Sequence, residues 1–159
     1  YPGGVVIDRI AKQGNHKAFP FPRAMRDSLD FSFSGLKTSL LSCLKKRKAP
    51  FSSEELPDLT ASYQEAICDV LVEKTLRAAA QISATRIVVC GGVAANSRLR
   101  ERFLSDAADA GMEVFIPPPV FCTDNAAMIA TVGTHLIRAG RTEGLNLNAV
   151  SRWPLAVQP

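Results

Sequence analysis

RIVVCGGVAANSRLRERF, residues 86–103, passes from a β-branched run through two glycines into a basic, helix-forming stretch. Ile87 to Cys90 is continuously apolar, the pattern of a central parallel strand buried on both faces. Ala94 to Ala110 returns to helical spacing. A strand that runs through Gly91 and Gly92 into a helix makes a defined place. Glycine admits a ligand close to the backbone, and the helix start behind it offers free N–H groups and a positive dipole end. Such bends lie at the carboxyl edge of a parallel sheet, where open α/β proteins bind ligands. Asn96 carries an amide that both donates and accepts, suited to a ribose hydroxyl or an adenine edge. The same two glycines serve equally to let the strand turn tightly. The GxxxxGK(S/T) of a phosphate loop is absent.

Outward from this stretch, residues 59–83 read as a long helix. Leu59, Tyr63, Ala66, Ile67, Val70 and Leu71 recur at helical spacing, and Val72, Leu76 and Ala79 widen the apolar surface, as in a helix sandwiched between other elements. MEVFIPP at 112–118 reads as a second strand, stopped by Pro117, Pro118 and Pro119. Asp124 to Ala139 is a further helix, closed by Gly140, with Thr123 or Asp124 as its cap. Upstream, Pro2, Gly3 and Gly4 break the chain before a short helix with Val6, Ile7, Ile10 and Ala11 on one face. Residues 15–30 are irregular. FSFS at 31–34 alternates like a short strand, and Ser34 caps a helix over Gly35–Lys48 whose last turn carries Lys45, Lys46, Arg47 and Lys48. The order of elements predicts an α/β layer with parallel strands and right-handed crossovers.

The chain has 159 residues, 47% of them hydrophobic, and a formal charge of +4. It is long enough to bury a core, and the charge is compatible with a nucleotide or nucleic-acid partner without requiring one. Cys43, Cys68, Cys90 and Cys122 form no CxxC pair, which argues against a zinc ribbon and for reduced cytosolic thiols. No apolar run reaches the roughly 18 residues a membrane span needs. There is no signal peptide and no initiator Met, and the opening YPGG reads as the interior of a longer protein.

Three groups remain. The second strand ends in PPPVFCTDNAAMIA, so Asp124 and Asn125 are expected to face the crevice that holds Asn96. One carboxylate there suits a hard or borderline cation but is not a site by itself. His16 and His135 belong to no HxxxH or HExxH pair and read as ordinary surface or packing residues. Lys45 to Lys48 either contact nucleic-acid phosphates or form a solvated helix end. Arg98, Arg100 and Arg102 cannot all share one helical face.

The segments YPGG (1–4), DFSFSGLKTSL (30–40), ASYQEAICDVLVEKT (61–75), VVCGGVAANSRLRERF (88–103) and FCTDNAAMIATVG (121–133) resemble, in order, the carboxyl half of the TsaD family. These are tRNA N6-adenosine threonylcarbamoyltransferases, formerly called O-sialoglycoprotein endopeptidases. The resemblance runs from Tyr1 to about Leu147. Val5 departs from it, since the family usually has proline there.

The resemblance implies an actin-like ATPase (sugar kinase, Hsp70, actin) superfold, with residues 1–159 as its carboxyl-terminal lobe and the amino-terminal lobe absent. It implies that Gly91 and Gly92 cradle an adenylate, with Asn96, Gly4 and Asp8 as further binding residues and the Asp8 carboxylate accepting from ribose hydroxyls. It makes Asp124 a ligand of one divalent ion, iron or zinc, whose two histidines lie upstream of Tyr1. The substrate is then L-threonylcarbamoyl-adenylate, made from ATP, and the acceptor is N6 of an adenosine beside the tRNA anticodon. Partner subunits and a cytoplasmic location follow from the same resemblance, and no general base stands out. Three rivals stand beside it. A kinase of the same superfold shares the glycine bend but not CTDNAAMIA. A metalloprotease needs an HExxH that is missing here. A non-catalytic lobe would bind partner proteins.

Overall fold

The computed structural model describes residues 3–47 and 49–149. Tyr1 and Pro2 of the opening turn, Lys48 of the basic run and residues 150–159 lie outside them. The elements are α1 (Gly3–Ala11), α2 (Ser34–Lys46), α3 (Glu55–Gln81), β1 (Arg86–Val88), α4 (Ser97–Asp109), β2 (Glu113–Phe115) and α5 (Ala126–Arg138), with 3-10 turns at Gly92–Ala95 and Pro119–Phe121. The chain forms two compact units, Tyr1–Thr123 and Asp124–Pro159.

In the first unit α3 is the spine. Leu59, Ala66, Cys68, Val70, Val72 and Ala79 are buried around it, as the broad apolar surface predicts. One core cluster joins Leu59 and Ala66 to Phe21 and to Leu36 of α2. The other joins Cys68 and Val72 to Leu99 and Phe103 of α4, with Val89, Val114 and Ile116 against it. Gly14 after α1 permits the close approach of that helix to α3, because a Cβ there would collide with the Pro57 carbonyl.

α3 also orders the irregular segment before α2. The Lys74 ammonium is 3% exposed and donates to the Met25 carbonyl at 2.7 Å and to the Asp30 carbonyl. Arg77 donates to the Arg26 carbonyl at 2.6 Å and to that of Ser28. Ser62 accepts from the Phe19 amide and donates to the Asn15 carbonyl, each at 3.1 Å. An irregular segment has no helix or sheet partners for its carbonyls, and side chains of α3 supply donors to these.

β1 and β2 pair in parallel, with Arg86, Ile87 and Val88 opposite Glu113, Val114 and Phe115. The parallel pairing is as expected, but the strands are shorter than predicted and form a two-stranded sheet. Burial on both faces is not observed: Ile87 is buried, whereas Val88 is 70% exposed.

Four local expectations are corrected. FSFS forms no strand, because no neighbouring strand offers it a ladder. Phe31 and Phe33 instead stack on each other with centroids 6.1 Å apart. Ser34 does not cap α2. The N-cap is Phe33, whose carbonyl accepts from the Lys37 amide, and Ser34 is already helical. Gly3 and Gly4 do not break the chain but lie in the first turn of α1. In the second unit, neither Thr123 nor Asp124 caps α5; Asn125 does, its Oδ1 accepting from the Met128 amide at 3.0 Å. The short amide of Asn125 reaches an N–H three residues on, the usual reach of an N-cap.

Candidate functional site

The bend after β1 is built from two unlike glycines. Gly91 has φ of 90°, a region that glycine enters without the Cβ penalty. Gly92 opens the 3-10 turn, where the Ala94 amide donates to the Gly91 carbonyl at 3.0 Å. A Cβ at Gly92 would meet nothing within 4 Å, and the same holds for Gly4 in α1. The backbone of the first unit therefore demands glycine at 91, whereas neither backbone angle nor packing requires it at 92 or 4.

Asn96 ends the 3-10 turn and caps α4, its Oδ1 accepting from the Leu99 amide at 2.9 Å. Its Nδ2 donates to Gln64 Oε1 of α3 at 2.8 Å. Asp8, from α1, reaches the same helix start. Its carboxylate accepts from the Ser97 amide at 3.2 and 3.3 Å and from Ser97 Oγ at 2.8 Å. Gly4 lies one turn before Asp8 on α1, at the spacing that places two residues on one helical face. The structure thus brings Asp8, Gly91, Gly92 and Asn96 to one helix N-terminus. Two of that helix's free N–H groups, those of Ser97 and Leu99, are already taken by Asp8 and Asn96. A ligand at the bend would meet the side chains more than the helix end. A cavity of about 230 Å³ is lined by Lys12, His16, Gln64, Glu65, Ser97 and Arg98 among others, and by none of Asp8, Gly91, Gly92 and Asn96; a second, of about 550 Å³, is lined by Cys90, Val93 and Ala94 beside the bend.

Behind the bend lies an ionic network that periodicity alone does not announce. Glu65 is 5% exposed and accepts from Arg98 Nε at 2.6 Å and from Arg102 Nη1 at 2.6 Å. Arg102 also donates to Asp69 at 2.6 Å and to Asp106 at 2.8 Å, and Arg23 donates to Asp69 at 2.6 Å. Burial pushes the Glu65 carboxyl up, and the Arg98 and Arg102 guanidiniums outweigh it, leaving it below its ordinary value. Asp69 is likewise raised by burial and lowered further by Arg102 and Arg23. The hydrogen bond to Glu65 chiefly raises Arg98, and that to Asp106 chiefly raises Arg102, so both stay charged. Arg98 and Arg102 share a face while Arg100 does not, as their spacing predicts.

Arg100 has a separate task that the sequence did not reveal. Its Nη1 donates to the carbonyls of Ala94 and Pro117, each at 2.9 Å, and lies 3.8 Å from Cys122 Sγ. One guanidinium thereby fixes the turn after β1 to the segment after β2. The cysteines differ sharply. Cys68 and Cys122 are buried, Cys43 is half-buried and Cys90, beside Gly91, is exposed. Burial, then the Glu65 charge, pushes the Cys68 thiol up to about 12.

Within the first unit, Lys45, Lys46, Arg47 and His16 form no hydrogen bond or ion pair with Asp8 or Asn96 among the described residues. Lys45 and Lys46 are exposed at the end of α2, but Arg47 is engaged, donating to both oxygens of Glu55 at 2.9 Å and standing 4.1 Å from the Phe51 ring centroid. His16 and His135 are exposed, as expected of surface histidines. Asp124 is exposed and opens the second unit. Among the described residues no group of three or more His, Cys, Asp and Glu side chains could hold a metal ion. The donors present in this chain do not fit a metal site by themselves, since a divalent ion needs several ligands in one geometry.

Comparison with known proteins decides the family. The family model described as TsaD, tRNA N6-adenosine threonylcarbamoyltransferase, matches residues 1–131. The chain belongs to the TsaD family. Three relatives carry that same name. One from Syntrophus aciditrophicus (strain SB) is 62% identical over 157 residues, 99% of this chain and 46% of that protein. One from Anaeromyxobacter dehalogenans (strain 2CP-C) is 55% identical over 158 residues, 98% of this chain and 47% of that protein. One from Syntrophotalea carbinolica is 49% identical over 157 residues, 98% of this chain and 46% of that protein. The chain spans about half the length of the relatives it matches. As a TsaD chain it has the actin-like ATPase fold class, of which these residues show a parallel strand pair with helices around it. The kinase reading loses its footing, because the TsaD match runs through the CTDNAAMIA stretch that a kinase would lack. No helix among the described residues is long and apolar enough to cross a membrane.

Proposed function

We infer that this chain is the carboxyl-terminal lobe of an enzyme that moves a threonylcarbamoyl group from L-threonylcarbamoyl-adenylate, formed with ATP, to N6 of the adenosine beside a tRNA anticodon. The observation that carries this is the convergence of Asp8 and Asn96 on the helix start beside Gly91 and Gly92, in a chain whose relatives bear the transferase name. The Asp8 carboxylate has lone pairs left after binding Ser97 and suits a ribose diol. Asn96, with Oδ1 and one N–H committed, keeps one N–H for a ligand. The absent side chains at Gly4 and Gly92 leave room for the nucleotide to approach.

In the transfer, N6 forms a bond to the carbamoyl carbon, the bond from that carbon to the phosphate oxygen breaks, and AMP leaves with the electron pair while N6 loses a proton. This chain's part is to hold and orient the adenylate, so that the attack becomes effectively unimolecular. Asp124 is proposed as one ligand of a divalent ion, iron or zinc, whose two histidines would come from outside this chain. Exposed Lys45 and Lys46 are proposed to meet tRNA phosphates, with Arg47 withdrawn into its pair with Glu55. Protein subunits of the same modification system are the further partners, in the cytoplasm.

The test is a threonylcarbamoyl-transfer assay on unmodified tRNA with the full-length protein, set beside AMP calorimetry. Transfer with AMP release, lost in Asp8→Ala together with AMP affinity, is the expected result. Full transfer by Asp8→Ala would overturn the placement of the adenylate at this bend.

A further inference from the structure

We propose that Gln64, a buried residue of α3, is a positioning residue that sets the orientation of Asn96 toward the nucleotide; this rests on the adenylate reading above. The argument is one of donors and acceptors. The Leu99 amide can only donate, so the Asn96 atom that faces it is Oδ1. The other end of the Asn96 amide is then Nδ2, which can only donate, so the Gln64 atom that faces it is Oε1. A single backbone N–H of α4 thereby orients two side-chain amides in series. Asn96 is held from both ends, and its one uncommitted N–H points in a fixed direction.

Gln64 is well placed for the task. It is 7% exposed and sits between buried Ser62, Glu65 and Ala66 on a 27-residue helix. Its neighbour Glu65 grips α4 through Arg98 and Arg102, so the two helices that carry Gln64 and Asn96 are tied together one residue away. A buried polar side chain needs a partner; the partner here is the amide nearest the glycine bend. Capping alone does not require Gln64, since Asn96 Oδ1 already satisfies the Leu99 amide.

The experiment measures AMP affinity in the full-length protein by calorimetry, with melting temperature recorded beside it. Gln64→Met removes the acceptor and keeps the volume; should it not fold, Gln64→Leu replaces it. It is expected to weaken AMP about 5- to 20-fold, as for loss of one buried hydrogen-bond partner. Gln64→Glu keeps an acceptor and should stay within about threefold of the parent. In an Asn96→Ala background, Gln64→Met should add less than about twofold, because the two residues act as one unit. Parental affinity in Gln64→Met, or a full additional loss in the double variant, would overturn the proposal while leaving the adenylate reading in place. Parental affinity in Asn96→Ala would overturn both. A purely structural Gln64 would lower the melting temperature and leave the affinity of the folded protein unchanged, which also counts against the proposal.

Discussion

Asp8 and Ser97 lie 89 positions apart in sequence, yet Asp8 Oδ1 accepts from Ser97 Oγ at 2.8 Å and the carboxylate also receives the Ser97 amide. The contact pins α1 to the first turn of α4, where a negative charge is favoured by the helix dipole. Asp8→Ala is expected to cost about 1 kcal/mol of stability, the usual effect of losing such a charge or cap. It should weaken AMP binding as well. Thermal melts and calorimetry measure the two losses separately, and a loss of stability with no loss of affinity would make Asp8 a helix anchor only.

Gly91 and Gly92 should respond differently to alanine. Gly91 holds φ at 90° and ψ at 171°, a region nearly confined to glycine, so Gly91→Ala should cost about 1–3 kcal/mol. Gly92 has no positive φ and open space for a Cβ, so Gly92→Ala should change the melting temperature little. The same substitution should weaken AMP if the proposed adenylate lies over the bend, because the new methyl would then stand in its path. An AMP affinity unchanged in Gly92→Ala would show that the nucleotide does not pass over this glycine.

The ionic network gives stability a defined pH limb. Glu65 and Asp69 lie below their ordinary values of 4.5 and 3.8, so their contribution is complete above those values and is lost as pH falls through the folded-state values. Glu65→Gln leaves Arg98 and Arg102 short of a buried partner and should cost about 3 kcal/mol at neutral pH. It should also flatten the decline of stability on the acid side. Denaturant melts from neutral pH down to the acid transition would show both effects, and an unchanged acid limb would remove Glu65 from the account.

Lys74 predicts a local effect. Lys74→Met takes the donor from the carbonyls of Met25 and Asp30, which water can in part replace, at about 1 kcal/mol. Amide exchange should accelerate mainly over residues 22–33. Uniform acceleration across α3 would mean that the ammonium supports the helix itself and not the segment packed on it.

The parts legible in the sequence are those with a period or a punctuation mark. The breadth of the apolar surface on α3 announced a sandwiched helix, and the apolar run into Gly91 and Gly92 announced a strand, a bend and a helix. FSFS misled because alternation records only which side chains are apolar, whereas a strand also needs a partner backbone. The helix caps lie one or two positions from Ser34 and from Thr123 or Asp124, since several neighbouring side chains carry suitable oxygens and only the backbone decides where each helix starts. Asp8 and Asn96 were read as ligand residues, and the structure shows them also serving the fold. Gln64 and Arg100 were invisible as site residues: their partners lie across the tertiary packing, 32 residues away for Gln64 and up to 22 for Arg100.

The uneven burial of the four thiols gives the protein a built-in reporter. Cys68 is inert at neutral pH, with its thiol pushed up to about 12, and Cys122 is shielded, whereas Cys90 faces solvent one residue before the glycine bend. A small alkylating label would reach Cys90 ahead of the buried pair, and with Cys43→Ser removing the half-buried thiol a fluorophore would sit one residue before the glycine bend. Quenching or protection of that label by AMP would turn the chain's own cysteine into an optical gauge of the proposed nucleotide site.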